Sequence, residues 1–226
     1  MKQYIINGQK REIAEETKMQ VEGISGDVYP LGNNRVLKVL NGVQEDLDET
    51  TAKYLTHQSA SRILLPTDIA YDKRGNYRGY VLPSGIKKQN GQSIIYARKG
   101  TFVRDVIALE QDITKLTGAK VSLNYISPDY TLFNGKLYLT DPKKFRLQLN
   151  ADTEKLGLLN NDQLHSLLIE LISRGLRADD EFNPDFINQI EELLRLRDYN
   201  ESPSTFFNDL LPDNKTVHQF VKTMRY

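Results

Sequence analysis

The sequence contains no cysteine, which excludes disulfides, thiolate metal sites and a cysteine nucleophile, and fits a reducing compartment. It also carries no net charge, because Lys+Arg and Asp+Glu both total 30. Proteins that bind nucleic acid or membrane surfaces in general carry a basic excess, so neither partner is expected. No apolar run approaches the ~20 residues of a membrane-spanning helix. The opening stretch MKQYIINGQKREI turns polar after two isoleucines and lacks the apolar segment of a signal peptide; a cytoplasmic protein is expected. His57, His165 and His218 lie far apart and show no metal-ligand spacing, so a histidine metal site is not expected.

What is present is an ordinary globular composition: 226 residues, 39% hydrophobic and 27% charged. That is enough chain for one large domain or two small lobes with an apolar core. The first part reads as strands. Tyr4–Ile6 leads through Asn7-Gly8, a favoured two-residue hairpin turn, into a second run. Val21–Leu31, Arg35–Leu40, Ile63–Leu65, Thr67–Tyr71 and Tyr77–Leu82 are further extended segments, and a helix is predicted over Asp46–Gln58. A polar, aperiodic connector over Ser84–Ser93 follows. The rest is helical by spacing: Phe102–Thr117, Asn161–Leu176, and three shorter helices opened by Asn183-Pro184, Ser202-Pro203 and Thr216 as N-terminal caps. A single strand pair around Asn134-Gly135 interrupts these helices. The expected class is α+β.

Three short stretches could carry chemistry. Gly23-Ile24-Ser25-Gly26-Asp27-Val28-Tyr29 places two glycines where backbone could approach an anion, although a plain hairpin turn needs no more. Lys38 stands inside the apolar run VLKV and must find a counter-charge or reach solvent. Glu49, with Glu45 as alternate, begins the next helix and could pair with Lys38, although acids at helix starts also serve the helix dipole. In YISPDYTLFNGKLYLTDPKKF, Asp141 ends a strand, where a carboxylate can hold a divalent cation or start a turn. Lys143 and Lys144 beside it could offset phosphate charge at a weakened metal site, but read first as a solvated basic turn.

In this order, over roughly residues 15–175, the pieces resemble the protein kinase-like superfamily in a small, divergent, bacterial-type form. Gly23-x-x-Gly26-x-Val28-Tyr29 is similar to the glycine-rich loop, Lys38 to the phosphate-gripping lysine and Glu49 to its helix partner. Gly79-Tyr80-Val81-Leu82-Pro83 resembles the inter-lobe hinge, and Thr140-Asp141-Pro142 stands where the magnesium-binding Asp-Phe-Gly would be. The resemblance implies an antiparallel-sheet N-lobe with one helix over residues 1–83 and a mainly helical C-lobe over 84–226. It also implies an ATP site lined by Gly23, Gly26, Val28, Lys38, Glu49, Val81 and Leu82, with Asp141 on Mg2+.

The chain departs from the family where the chemistry lies. The family's loop reads His-Arg-Asp-x-x-x-x-Asn; aligned on Pro128, the aspartate falls on Tyr125 and the asparagine on Tyr130. A phenol with a pKa of ~10 is a poor base and metal ligand, and losing a positioned base costs ~10²–10⁴ in rate. Val21 replaces the first loop glycine, Asp27 adds negative charge near the expected phosphates, and only Arg146–Asn160 precedes the next helix, too little for a long activation segment. The first expectation is a nucleotide-binding pseudokinase acting through a protein partner. The second is an active atypical kinase or another ATP-dependent phosphoryl or nucleotidyl transferase, with Lys38, Asp129 and Asp141 as catalytic residues and Asp129 as base or second metal ligand. The third is an interaction scaffold that binds no nucleotide.

Overall fold

Asparagine and glycine turns set the N-terminal topology. Asn7 and Gly8 both take positive φ (48° and 72°), the backbone that closes a two-residue hairpin. They join β1 (Lys2–Ile6) to β2 (Gln9–Ile13). This is a computed structural model, and it describes residues 1–21, 24–41, 46–84, 94–133, 135–198 and 200–224, leaving aside the side chains of Ser25, Tyr130 and Leu132. The predicted Val21–Leu31 segment divides into β3 (Met19–Val21) and β4 (Ile24–Gly32). With β5 (Arg35–Val39), β6 (Asp68–Tyr71) and β7 (Tyr77–Pro83), they form a seven-stranded antiparallel sheet in the order β2-β1-β6-β7-β5-β4-β3. Ile63–Leu65 forms no strand; Ile63 makes only an isolated bridge to Leu139.

The centre of the sheet is buried on both faces. Val28, Val36, Tyr80 and Leu82 join the main core, whereas Tyr29, Leu37 and Val81 join a smaller cluster with Tyr4, Ile6, Ile13 and Ala70. The division follows from the period-two alternation of strand side chains. The main core then runs without a break from Ile24 to Val221. Sheet and helices therefore share one apolar interior.

All the described α-helices but the one over Lys99–Gly118 start at a residue whose side chain caps them. Asp48 opens α1 (Glu49–Leu55) and accepts a hydrogen bond from Thr51 N at 2.8 Å. α2 (Lys99–Gly118) is the predicted long helix, and α3 (Thr153–Arg177) begins eight residues before the predicted Asn161 because Asp152 caps it. Asn183, Ser202 and Thr216 cap α4 (Pro184–Leu194), α5 (Pro203–Leu210) and α6 (Val217–Thr223). Two strand pairs, not one, sit among these helices: β9 (Thr131–Phe133) with β10 (Leu137–Leu139), and β8 (Val121–Leu123) with β11 (Phe145–Leu147). Among the described residues no helix is long and apolar enough to cross a membrane.

Candidate functional site

Lys38 lies mid-strand in β5, opposite Val28 on β4 and Tyr80 on β7. This row faces the main core, so the ammonium points into the protein. It meets Asp141, 103 residues away in sequence: Nζ lies 2.5 Å from Oδ2, and the two side chains are only 2% and 0% exposed. Tyr80 OH donates to the other carboxylate oxygen at 3.0 Å, and Nζ lies 5.5 Å from the centre of the Tyr80 ring. Burial pushes the Lys38 ammonium below the usual lysine range, against the pull of Asp141, which raises it. Burial also drives the Tyr80 hydroxyl well above its ordinary value, so it stays a protonated donor.

Asp141 does not end the strand as expected but lies two residues past β10, whose backbone is tied down. Leu139 N donates to Arg62 O, and Leu64 N donates to Leu139 O, each at 2.8 Å. Leu137 N donates to buried Asp105, which also takes the Arg62 guanidinium at 3.2 Å. From the other side α1 docks on β11 through Leu147 N, which donates to Thr51 Oγ1 at 3.0 Å. The Arg146 guanidinium donates to Asp46 O at 3.1 Å.

Gly26 and Gly79 flank Lys38 for different reasons. Gly26 has φ +94°, and a Cβ there would lie 3.8 Å from Lys38 Cε. Its backbone therefore sits over the lysine stem in a conformation that favours glycine. A Cβ on Gly79 would fall 1.9 Å from the Lys38 carbonyl oxygen, so β5 and β7 can pair only if that side chain is missing. The stretch Gly79–Pro83, expected as a hinge, is the body of this central strand. Gly23 and Glu45 lie outside the described residues.

The remaining expected site residues divide. Val28 and Leu82 share the buried core face with Lys38. Val81 does not: it packs with Tyr4, Ile6 and Leu37 on the opposite face of the sheet, because strand side chains alternate. Glu49 directs its carboxylate to Lys53 (2.7 Å) and accepts from Tyr71 OH (3.1 Å), and the Lys53 hydrogen bond holds it below the usual carboxylate range. Asp129 follows Ser127-Pro128 in a short 3-10 turn, is largely exposed, and pairs with Arg174 of α3 at 2.6 Å. That guanidinium holds the Asp129 carboxyl below its ordinary range, which makes it a weaker base. Tyr125, at the position of the expected catalytic aspartate, is half exposed.

Two contributors were missed in the sequence. Asp46 reaches Lys143 at 3.8 Å, and its charge also favours the Lys38 ammonium. Lys143 and Lys144 do form a turn, as expected, but both are half-buried rather than solvated. Tyr80 was read only as part of a hinge, and neither its ring nor its hydroxyl announces a carboxylate partner. Asp27, expected beside phosphates, is paired with Lys18.

The geometry thus brings Lys38, Asp141, Tyr80 and Gly26 together, with Asp46 and Lys143 nearby. Asp129 and Glu49 are engaged elsewhere. No protein-family profile matches the chain, and no curated protein matches it.

Proposed function

We propose that this is a kinase-like protein with a degenerate phosphotransfer centre, a pseudokinase that takes a nucleotide without magnesium and acts through a protein partner. The observation that carries the reading is the buried contact between Lys38 and Asp141. A strand lysine and an aspartate just past a strand, this far apart in sequence, meet beneath a glycine-bearing hairpin, the order expected of the kinase-like superfamily. A two-lobed arrangement, with the sheet and α1 as one lobe and the helices as the other, belongs to the same proposal.

The donor set does not fit a magnesium ion. Mg2+ demands near-octahedral oxygen ligands and keeps several waters. Both Asp141 oxygens already accept hydrogen bonds, from Lys38 and Tyr80, in a site closed to solvent. Asp129, the nearest acid in the loop sequence, is bound to Arg174. Phosphoryl transfer depends chiefly on positioning and charge neutralisation, and a tyrosine in place of the base removes a further ~10²–10⁴. A nucleotide would have to open this closed site; Lys38 and the Gly26 backbone would then contact its phosphates, and Val28 and Leu82, both fully buried as the chain stands, would supply the apolar wall.

The experiment is a phosphoryl-transfer assay with labelled ATP, Mg2+ and a generic protein acceptor, the chain itself included. The reading predicts no transfer above background. Transfer that disappears in Asp129→Asn would establish the active-enzyme reading instead. The near-complete burial of the Lys38 and Asp141 side chains favours a second reading, a scaffold whose cleft stays shut to nucleotide.

A further inference from the structure

Away from this site, the turn between α3 and α4 carries Asp179 and Glu181, and α6 brings His218 onto them. His218 Nε2 lies 2.8 Å from Asp179 Oδ2 and 3.8 Å from Glu181 Oε2. The three ligand atoms all lie within 4.8 Å of one another. Ligands ~2.1 Å from a single ion are separated by roughly 3–3.5 Å, so shifts of about an ångström would close the set.

Two further observations concern the imidazole. Nε2 is sealed from solvent, and its near polar neighbour is Asp179 Oδ2 at 2.8 Å. The ring is also held in one orientation, stacked at a tilt 5.0 Å from Tyr96 and edge-on 5.4 Å from Phe182. Tyr96 OH donates to Asp179 Oδ2 at 2.8 Å, which fixes that carboxylate as an outer partner fixes a metal ligand. Glu181 is half exposed and gives the cluster its opening to solvent. The cluster already holds a cation at this edge, because Lys222 Nζ lies 2.5 Å from Glu181 Oε2.

We propose that Asp179, Glu181 and His218 form a binding site for a first-row divalent transition ion, with zinc as the reference ion. One imidazole and two carboxylates suit such an ion, and water completes its coordination. Lys222 acts as the built-in competitor. Bound metal ties the α3–α4 turn to α6 and fastens the last helix to the helical layer.

The test uses the full chain with Zn2+, and with Co2+ as an absorbing substitute, followed by calorimetry and thermal unfolding. One saturable site is expected, with a Co2+ visible band. Lys222→Ala should tighten binding about tenfold by removing a competing charge. Glu181→Gln, at a half-exposed position that leaves the fold intact, should weaken it about tenfold by removing a ligand charge. His218→Gln should abolish it. Mg2+, which prefers all-oxygen ligands, should give no shift. The site is refuted if neither the wild type nor Lys222→Ala binds zinc saturably up to about 1 mM. It is refuted equally if Glu181→Gln leaves the affinity unchanged, or if Mg2+ matches Zn2+.

Discussion

Replacing Lys38 with methionine keeps most of the side-chain volume and removes the charge. In the wild type the Lys38 and Asp141 side chains are 2% and 0% exposed, so water does not replace the lost partner. Breaking a buried pair from one side costs about 3–5 kcal/mol, because the other charge is stranded. For a protein of 226 residues, each kcal/mol lowers Tm by about 2–4 °C, which gives a drop of roughly 6–20 °C. Lys53→Met is the matched control: the Lys53 side chain is 56% exposed in a pair with Glu49 one helical turn away, and such pairs contribute ~0.3–0.5 kcal/mol. The double variant Lys38→Met/Asp141→Asn keeps an acceptor for Tyr80 but removes the stranded charge, so it should be more stable than Lys38→Met alone. Urea unfolding followed by circular dichroism measures all four proteins. The reasoning is refuted if Lys38→Met stays within ~1 kcal/mol of wild type, or if the second substitution adds to the damage.

Three further outcomes are expected. Gly79→Ala should unfold the protein or cost several kcal/mol, since its Cβ would fall 1.9 Å from the Lys38 carbonyl oxygen; Gly75→Ala, with φ +80° but open space around it, should cost only ~1–2 kcal/mol in the same denaturation series. His165 is buried with Nε2 donating to Leu194 O at 2.8 Å, and burial pushes its pKa down to about 4; because the unfolded chain binds this proton near pH 6.5, stability should fall as pH drops from ~6.5 towards 4, by roughly 2–3 kcal/mol at pH ~4.5, and His165→Leu should flatten that limb of the profile. Asp129→Asn should change stability by less than ~1 kcal/mol, because the pair with Arg174 is exposed, and should leave nucleotide affinity unaltered in a binding titration.

Much of this architecture was legible because it rests on local chemistry. Asn183, Ser202 and Thr216 were readable as caps, since a side-chain oxygen before an amphipathic run has few other uses there. Lys38 was readable as a buried charge in need of a partner, and Asp141 as an acid near a strand end. Features that depend on three-dimensional folding were not readable. Val81 looked like its neighbour Leu82, but the sheet is covered on both faces, and alternation sends the two side chains into different clusters. Glu49 was a plausible partner for Lys38 by position, yet Lys53 lies one helical turn along the same helix and Tyr71 stands opposite it. The pairing of β8 with β11 involves strands of three residues, too short to show a period. His218 offered no spacing signal, because its acidic neighbours lie nearly forty positions away in the chain.

The most direct test of the central claim is an equilibrium titration of the protein with ATP at constant ionic strength, once in excess EDTA and once in excess Mg2+. A site in which Asp141 remains bound to Lys38 and Tyr80 predicts saturable binding with the same affinity in both, weakened in Lys38→Met. Binding that appears only with Mg2+ would contradict the account and return Asp141 to the role of metal ligand; no binding in either condition would leave the closed scaffold.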